Sequence, residues 1–294
     1  MNTRWFAQGW LLLFLMCLPP VWPAQAGLTG RIVIAGYGPE LPLLQDLGKA
    51  FEKSHPGTAV DFEWDKNVKA VDLVVGGTAD LAVTDRSVPG LRDTHIAWDG
   101  IAVIVNFANP IREVSSRQLR DLFTGRVTRW SDLDGSSAKV AVLERPPEDN
   151  IKAGFETSLG ITDRVFTPTA VVRGDQRALR AVSGNTSAIA YLSLSAALKA
   201  QEDGIPVQIL TIDRVEPGQP TVKDGSYLLR RPLYLLSRDR PGAVAAAFVA
   251  FTQSVEVEAI VSRGFVPTGS STSREANGLG LLEDQPRASA DKGS

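Results

Sequence analysis

DGIAVIVNFANPIREVSSRQLRDLFTGRVTRWSDL, residues 99–133, joins a strand suited to burial on both faces to a sharply bounded helix and an aromatic anchor. Ile101 to Val105 is an unbroken apolar run rich in β-branched residues, the pattern of a strand covered on both sides, and Asn109-Pro110 stops it. Ser115 and Gln118 have the spacing of a capping box. Leu119, Leu122 and Phe123 then form one apolar helix face, and Gly125 stands where a left-handed residue ends a helix. Trp130 reads as a core anchor.

The same alternation runs outward from this stretch. Toward the N-terminus, Arg31 to Ala35, Thr58 to Glu63 and Ala79 to Val83 read as strands. Leu41 to Lys53 reads as a helix with Leu44, Leu47 and Phe51 on one face, and Val68 to Val75 as a short helix. Toward the C-terminus the scheme repeats, with strands at Val140 to Leu143, Ala170 to Arg173, Ala188 to Leu192 and Val207 to Ile212, and helices at Glu148 to Leu159 and Asp175 to Val182. GQPTVKDGSYLLRRPLYLLSR, residues 218–238, reads as turn residues and a long extended segment. Two helices close the chain, Pro241 sitting in the first turn of one and Ser254 capping the next, which ends at Gly264. The expected class is α/β: two lobes of open, mostly parallel sheet with an interlobe cleft. Ligands of such sheets bind at strand carboxyl ends near helix N-termini.

Composition narrows the function. The 31 basic and 33 acidic residues nearly balance, and no Lys/Arg-rich block or aromatic-basic alternation offers the attraction to phosphate backbones on which nucleic-acid binding rests. Arg4, the apolar stretch Leu11 to Leu18 and Ala24-Gln25-Ala26 have the order of an export signal cleaved after Ala26. The apolar core is well short of the ~20 residues of a membrane span and is broken by Pro19 and Pro20. Cleavage would remove Cys17 and both methionines, leaving a mature chain without sulfur. His55 and His95 offer neither a zinc cluster nor acid-base material, and no G-x-S-x-G, H-E-x-x-H or P-loop is present, so the expectation is a binding protein with no catalytic residue, metal or cofactor. From Thr268 onward the chain is polar and poor in large apolar residues, as a mobile tail would be.

The order DGIAVIVN, ANP, LRDLFTG and TRWSDL closely resembles the phosphate-transport substrate-binding (PstS-like) family of bacterial ABC importers. GNTSAIAYLSL (residues 184–194) and RRPLYLLSR with AFVAFTQSVEVEAIVSRGFVP (residues 230–238 and 247–267) are similar to further motifs of that family. The resemblance spans residues 31–267. It implies a periplasmic, monomeric solute-binding protein that captures a small anion and delivers it to an ABC permease of the inner membrane. It also implies a discontinuous first lobe, residues 27–105 with 230–267, and a second lobe of residues 106–229. A relative that senses or docks, its phosphate binding altered or lost, is the alternative.

In that family Ser/Thr hydroxyls and backbone amides at helix N-termini hold a tetrahedral oxyanion, with an Arg and an Asp alongside. By position, Thr84, Asp85 and the following Arg86 match the segment after the third strand, and Arg145 matches the family's Arg. The loops depart from the pattern. Gly36-Tyr37-Gly38-Pro39-Glu40 stands where a hydroxyl-bearing loop is expected, so Gly38 and Glu40 fall at the ligand, and Trp64-Asp65-Lys66-Asn67 stands at the next loop. Pro146-Pro147-Glu148-Asp149-Asn150 replaces a Gly-Ser-Gly-Thr loop, which puts Asp149 and Asn150 at the site. A carboxylate ~4 Å from a bound anion repels it by ~1 kcal/mol in water and by more in a closed cleft, so phosphate is expected to bind weakly or another solute to take its place. Each residue also has a plainer reading. Asp85 and Arg86 pair with one another or with solvent, Arg145 braces the lobes, Glu148 and Asp149 start a helix, and Gly36-Tyr37-Gly38 is a strand-to-helix turn; on the functional side, Trp64 and Tyr37 are placed to line the cleft. Intact mass of the exported protein should show a chain beginning at Gly27; a chain starting at Met1, or a lipid on Cys17, would overturn the export reading.

Overall fold

A computed structural model describes residues 27–162 and 167–268. The expected signal, residues 1–26, and all of the expected tail but Thr268 lie outside the described residues. β1 (Gly30–Gly36), α1 (Leu41–Ser54), β2 (Thr58–Trp64), α2 (Ala70–Val75) and β3 (Leu81–Thr84) follow in order and lead into the long strand β4 (Arg92–Asn106). The chain then passes through β5 (Glu113–Val114), α3 (Ser116–Phe123), β6 (Ala141–Glu144), α4 (Asn150–Leu159), β7 (Ala170–Val171), α5 (Asp175–Ser183) and β8 (Ala188–Ser193). It continues with α6 (Leu194–Glu202), β9 (Val207–Ile209), β10 (Thr211–Ile212) and α7 (Gln219–Asp224). The chain returns through β11 (Arg230–Ser237) to α8 (Ala243–Phe251), α9 (Glu258–Val261) and β12 (Val266–Pro267).

The sheet runs β2-β1-β3-β11-β4-β8-β6-β7, with β12 and β9 also on β4. The outer pairs β1–β2, β1–β3, β6–β8 and β6–β7 are parallel, whereas the pairs made by the crossing strands β4 and β11 are antiparallel. One large core draws on Ile101 to Leu229 with Val266, and a second on Ile32 to Ala97 with Leu233 to Val261, so packing changes sides near Asp99 on one crossing strand and Arg231 on the other.

The opening stretch folds as its residues dictate. Ser115 Oγ accepts from the Gln118 amide at 3.1 Å and Gln118 Oε1 accepts from the Ser115 amide at 2.7 Å, closing a capping box that satisfies two otherwise free helix donors. Gly125 takes φ 74° just beyond the helix, and the fully buried Trp130 donates its indole N–H to Ser187 O at 3.0 Å.

Four local expectations are corrected. Val207 to Ile212 is two strands: the Leu210 amide still bonds Val103 O on β4, and Thr211 and Ile212 then pair with β5 instead. The turn residues that open the 218–238 stretch include a short helix: Gln219 to Asp224 form α7, with Thr221 Oγ1 accepting from the Gly218 amide. Pro241 precedes α8 by two residues, Gly242 being its N-cap. Ser254 heads a 3-10 turn without capping it, its buried hydroxyl having no partner among the described residues.

Phe155, fully buried on α4, stacks on Tyr191 at 3.9 Å and meets Phe123 edge-on at 4.8 Å. Phe155→Ala should cost about 3–5 kcal/mol, read as a lower urea midpoint at unchanged slope.

Candidate functional site

Loops of both lobes enclose a cavity of about 210 Å³ lined by Tyr37, Gly38 and Pro39 from the end of β1 and by Arg145, Pro146, Asp149 and Asn150 around the start of α4. Arg173, Gly174 and Asp175 at the start of α5 complete it. It is therefore a cleft at strand ends and helix N-termini, where α/β proteins place ligands. A direct bond spans it: Asn150 Nδ2 donates to Tyr37 O at 2.7 Å. Trp64 Nε1 donates to Gly38 O at 3.2 Å and steadies the same loop. Gly38 holds φ 133°, and a Cβ there would lie 2.2 Å from Glu40 Oε2 and 3.0 Å from Asn150 Nδ2, so this wall admits only glycine.

Arg145 organises the opposite wall. Its side chain is 3% exposed; Nη2 binds Asp149 Oδ2 and Nη1 binds Asp175 Oδ1, each at 2.9 Å. Asp149 also caps α4, its Oδ1 accepting from the Ile151 amide at 2.9 Å, and Asp175 accepts from Ser193 Oγ at 2.7 Å. Arg145 thus ties the first turns of α4 and α5 together. Burial works against its charge, but Asp149 and Asp175 outweigh burial and hold its pKa above the ordinary value. At the rim Arg173 binds Glu148 at 2.6 Å, which holds the Glu148 carboxyl below its usual range. The Tyr37 phenol is pushed up, first by burial and then by Asp149 and Glu148, so it stands in the cleft as a neutral hydrogen-bonding group.

Of the residues expected at the ligand, Gly38, Arg145, Asp149 and Asn150 meet around this cavity. Glu40 does not line it: fully buried, it pairs with Arg231 on β11. Thr84, Asp85 and Arg86 also stand apart from it. Thr84 Oγ1 accepts from the Arg86 amide at 3.3 Å, and Arg86, 80% exposed, lies 3.9 Å from Asp85. Glu148 and Asp149 precede α4 instead of lying within it. Sequence reasoning missed Arg173, Gly174 and Asp175; an Arg-Gly-Asp run between a strand and a helix was the available signal. Among the described residues, no group of three or more His, Cys, Asp and Glu side chains is placed to hold a metal ion.

Asp149→Ala removes both the cap and one partner of Arg145, whereas Asp149→Asn keeps the cap. Denaturant unfolding should find the alanine variant less stable than the asparagine variant by about 1 kcal/mol.

Residues 23–256 match the family model described as PBP superfamily domain. A stretch of 111 residues, 36% of this chain, is 33% identical to the phosphate-binding protein PstS 2 of Streptococcus agalactiae but spans 38% of that relative's length. The phosphate-binding protein PstS of Bacillus subtilis is 22% identical over 262 residues, 85% of each chain. Among solved structures, an ABC-type phosphate transport receptor from Vibrio cholerae superposes with a TM-score of 0.70 at 25% identity, over 81% of this chain and all of that one. A putative phosphate ABC transporter substrate-binding protein from Clostridium perfringens, with bound phosphate, gives 0.69 at 23% identity, over 81% of this chain and 99% of that one. With the two lobes, the crossing strands and a match over most of the chain in agreement, the protein belongs to the PBP superfamily domain family.

Proposed function

We propose that this protein is the exported solute-binding component of a phosphate-type ABC importer, taking a small anion between its lobes and presenting it to an inner-membrane permease as a monomer. Residues 27–105 with 230–267 form the first lobe in this reading, and residues 106–229 the second. The observation that carries it is the pairing of Arg145 and Arg173 with the start of α5 on one cavity: Gly174, the N-cap, brings no side chain to the first-turn amides, which leaves them available to an anion. The phosphate-binding relatives support the same class of solute.

The anion enters against resistance. Asp149 and Asp175 occupy both terminal nitrogens of Arg145, and Glu148 engages Arg173, so two cationic side chains face three carboxylates. Phosphate binding therefore requires a carboxylate to yield, which is the physical ground for expecting weak affinity for it. A solute with its own positive charge would meet less resistance.

Titration calorimetry with inorganic phosphate on refolded protein tests the proposal. Asp175→Asn removes one negative charge and loosens its hold on Arg145, so it should tighten phosphate about fivefold, the equivalent of ~1 kcal/mol of repulsion at ~4 Å. Arg173→Ala should weaken phosphate about tenfold while leaving the unfolding midpoint unchanged, because Arg173 and Glu148 are largely in solvent. Absence of stabilisation by phosphate, other oxyanions and amino acids alike would overturn the transport reading in favour of a cleft that senses or docks without a small solute.

A further inference from the structure

Asp99 on β4 and Arg231 on β11 face each other in register where β4 changes partners: its last pair with β11 is Gly100–Arg230 and its first with β8 is Ile101–Ser193. Arg231 Nε and Nη2 donate to Asp99 Oδ2 at 3.0 and 2.7 Å, and Nη2 also binds Glu40, the residue just before α1. Arg231, Asp99 and Glu40 side chains are 2%, 1% and 0% exposed. The first lobe thus reaches the guanidinium through Glu40. The second lobe seals it through α4, which lies so close that a Cβ on Gly154 would be 2.9 Å from both Cβ and Cδ of Arg231. Lobe separation that lifts α4 from β11 would admit water to the triad.

Two carboxylates share one guanidinium here, and Glu40 Oε2, Asp99 Oδ1 and Arg231 Nη1 have no partner among the described residues. An excess negative charge is held out of water, an arrangement that favours taking up a proton. The groups acting on Asp99 are Arg231 from β11, Glu40 from the start of α1 and Asp175 from the start of α5. Arg230, next along β11, is turned away onto the Trp98 ring at 4.0 Å and bonds Val222 O. Burial raises Asp99 to about 6 against the pull of Arg231, and Glu40 and Asp175 add to the rise.

We propose that the Glu40–Arg231–Asp99 triad is a proton-operated latch in the hinge, in which the closed arrangement of the lobes takes up a proton and closure strengthens as the pH falls. In the open arrangement water reaches Asp99 and returns it toward the ordinary carboxylate range, so the closed form binds the proton more tightly. The bias toward closure is accordingly largest below the ordinary carboxylate pKa, declines as the pH rises through about 6, and is gone by pH 8. The closed-to-open ratio should rise about tenfold between pH 8 and pH 5. The latch rests on the two-lobed architecture and not on which solute the cleft takes.

Small-angle scattering of the ligand-free protein at pH 8 and pH 5, for wild type and Asp99→Asn, reads lobe closure directly. The radius of gyration of the wild type should shrink on acidification and that of Asp99→Asn should not; a wild-type radius unchanged between the two values overturns the latch. Glu40→Gln provides a second route, since relieving the excess charge should move the wild-type transition to lower pH, and an unmoved transition overturns the role of the triad. Phosphate calorimetry at both pH values adds a ratio of wild-type to Asp99→Asn affinity from which the ion's own titration cancels. This ratio should rise toward pH 5, and a constant ratio counts against the latch. If phosphate gives no heat at either pH, the anion reading fails while the scattering still decides the latch.

Discussion

Strand β4 serves both lobes. It holds β11 and β12 with one half and β8 and β9 with the other, so the two cores are joined by continuous backbone hydrogen bonding instead of a slack linker. Relative movement of the lobes is thereby restricted to bending and twisting about the crossing strands. The cleft, the pairing of Asn150 with Tyr37 and the buried charges at the crossing all take their places from that restriction. Gly100 belongs to the same constraint: a Cβ there would lie 2.7 Å from Leu194 and 2.9 Å from Val222, so α6 and α7 close directly on the strand.

The cleft has a corresponding division of labour. Arg145 has the position expected of an anion-binding arginine and the environment of a structural one, buried and bound to two aspartates at the starts of two helices. These roles do not exclude each other, because a guanidinium fixed in place incurs little further entropy loss when it meets a ligand. Of the two acids in the loop before α4, Asp149 is the one that fixes Arg145, while Glu148 holds Arg173. Arg173 is the converse, exposed at the rim and held by one carboxylate.

What the sequence made legible was what neighbouring residues decide. The capping box at Ser115 and Gln118, the glycine at 125, the apolar run from Ile101 and the buried Trp130 follow from contacts within a turn or from strong burial preferences. The motifs around them carried the family. Glu40 was misplaced at the ligand because its partner lies 191 positions away, and nothing local distinguishes a carboxylate facing solute from one buried against an arginine. Arg173 and Asp175 were overlooked for the same reason: a strand-to-helix junction is visible locally, but which junctions from two lobes converge is a tertiary fact. α7 was hidden by Gly, Pro and Thr, poor helix formers whose local capping and burial of Val222 override their propensity.

The bond that spans the cleft falls on the main-chain oxygen of Tyr37 and leaves the phenol free of that duty. In the proposed reading, holding the lobes together and meeting the solute are therefore separate tasks at this position. A lineage could exchange the side chain at 37, altering what the cleft prefers, without rebuilding the contact that closes it. On that reading selectivity has room to drift while the main-chain contact across the cleft is kept.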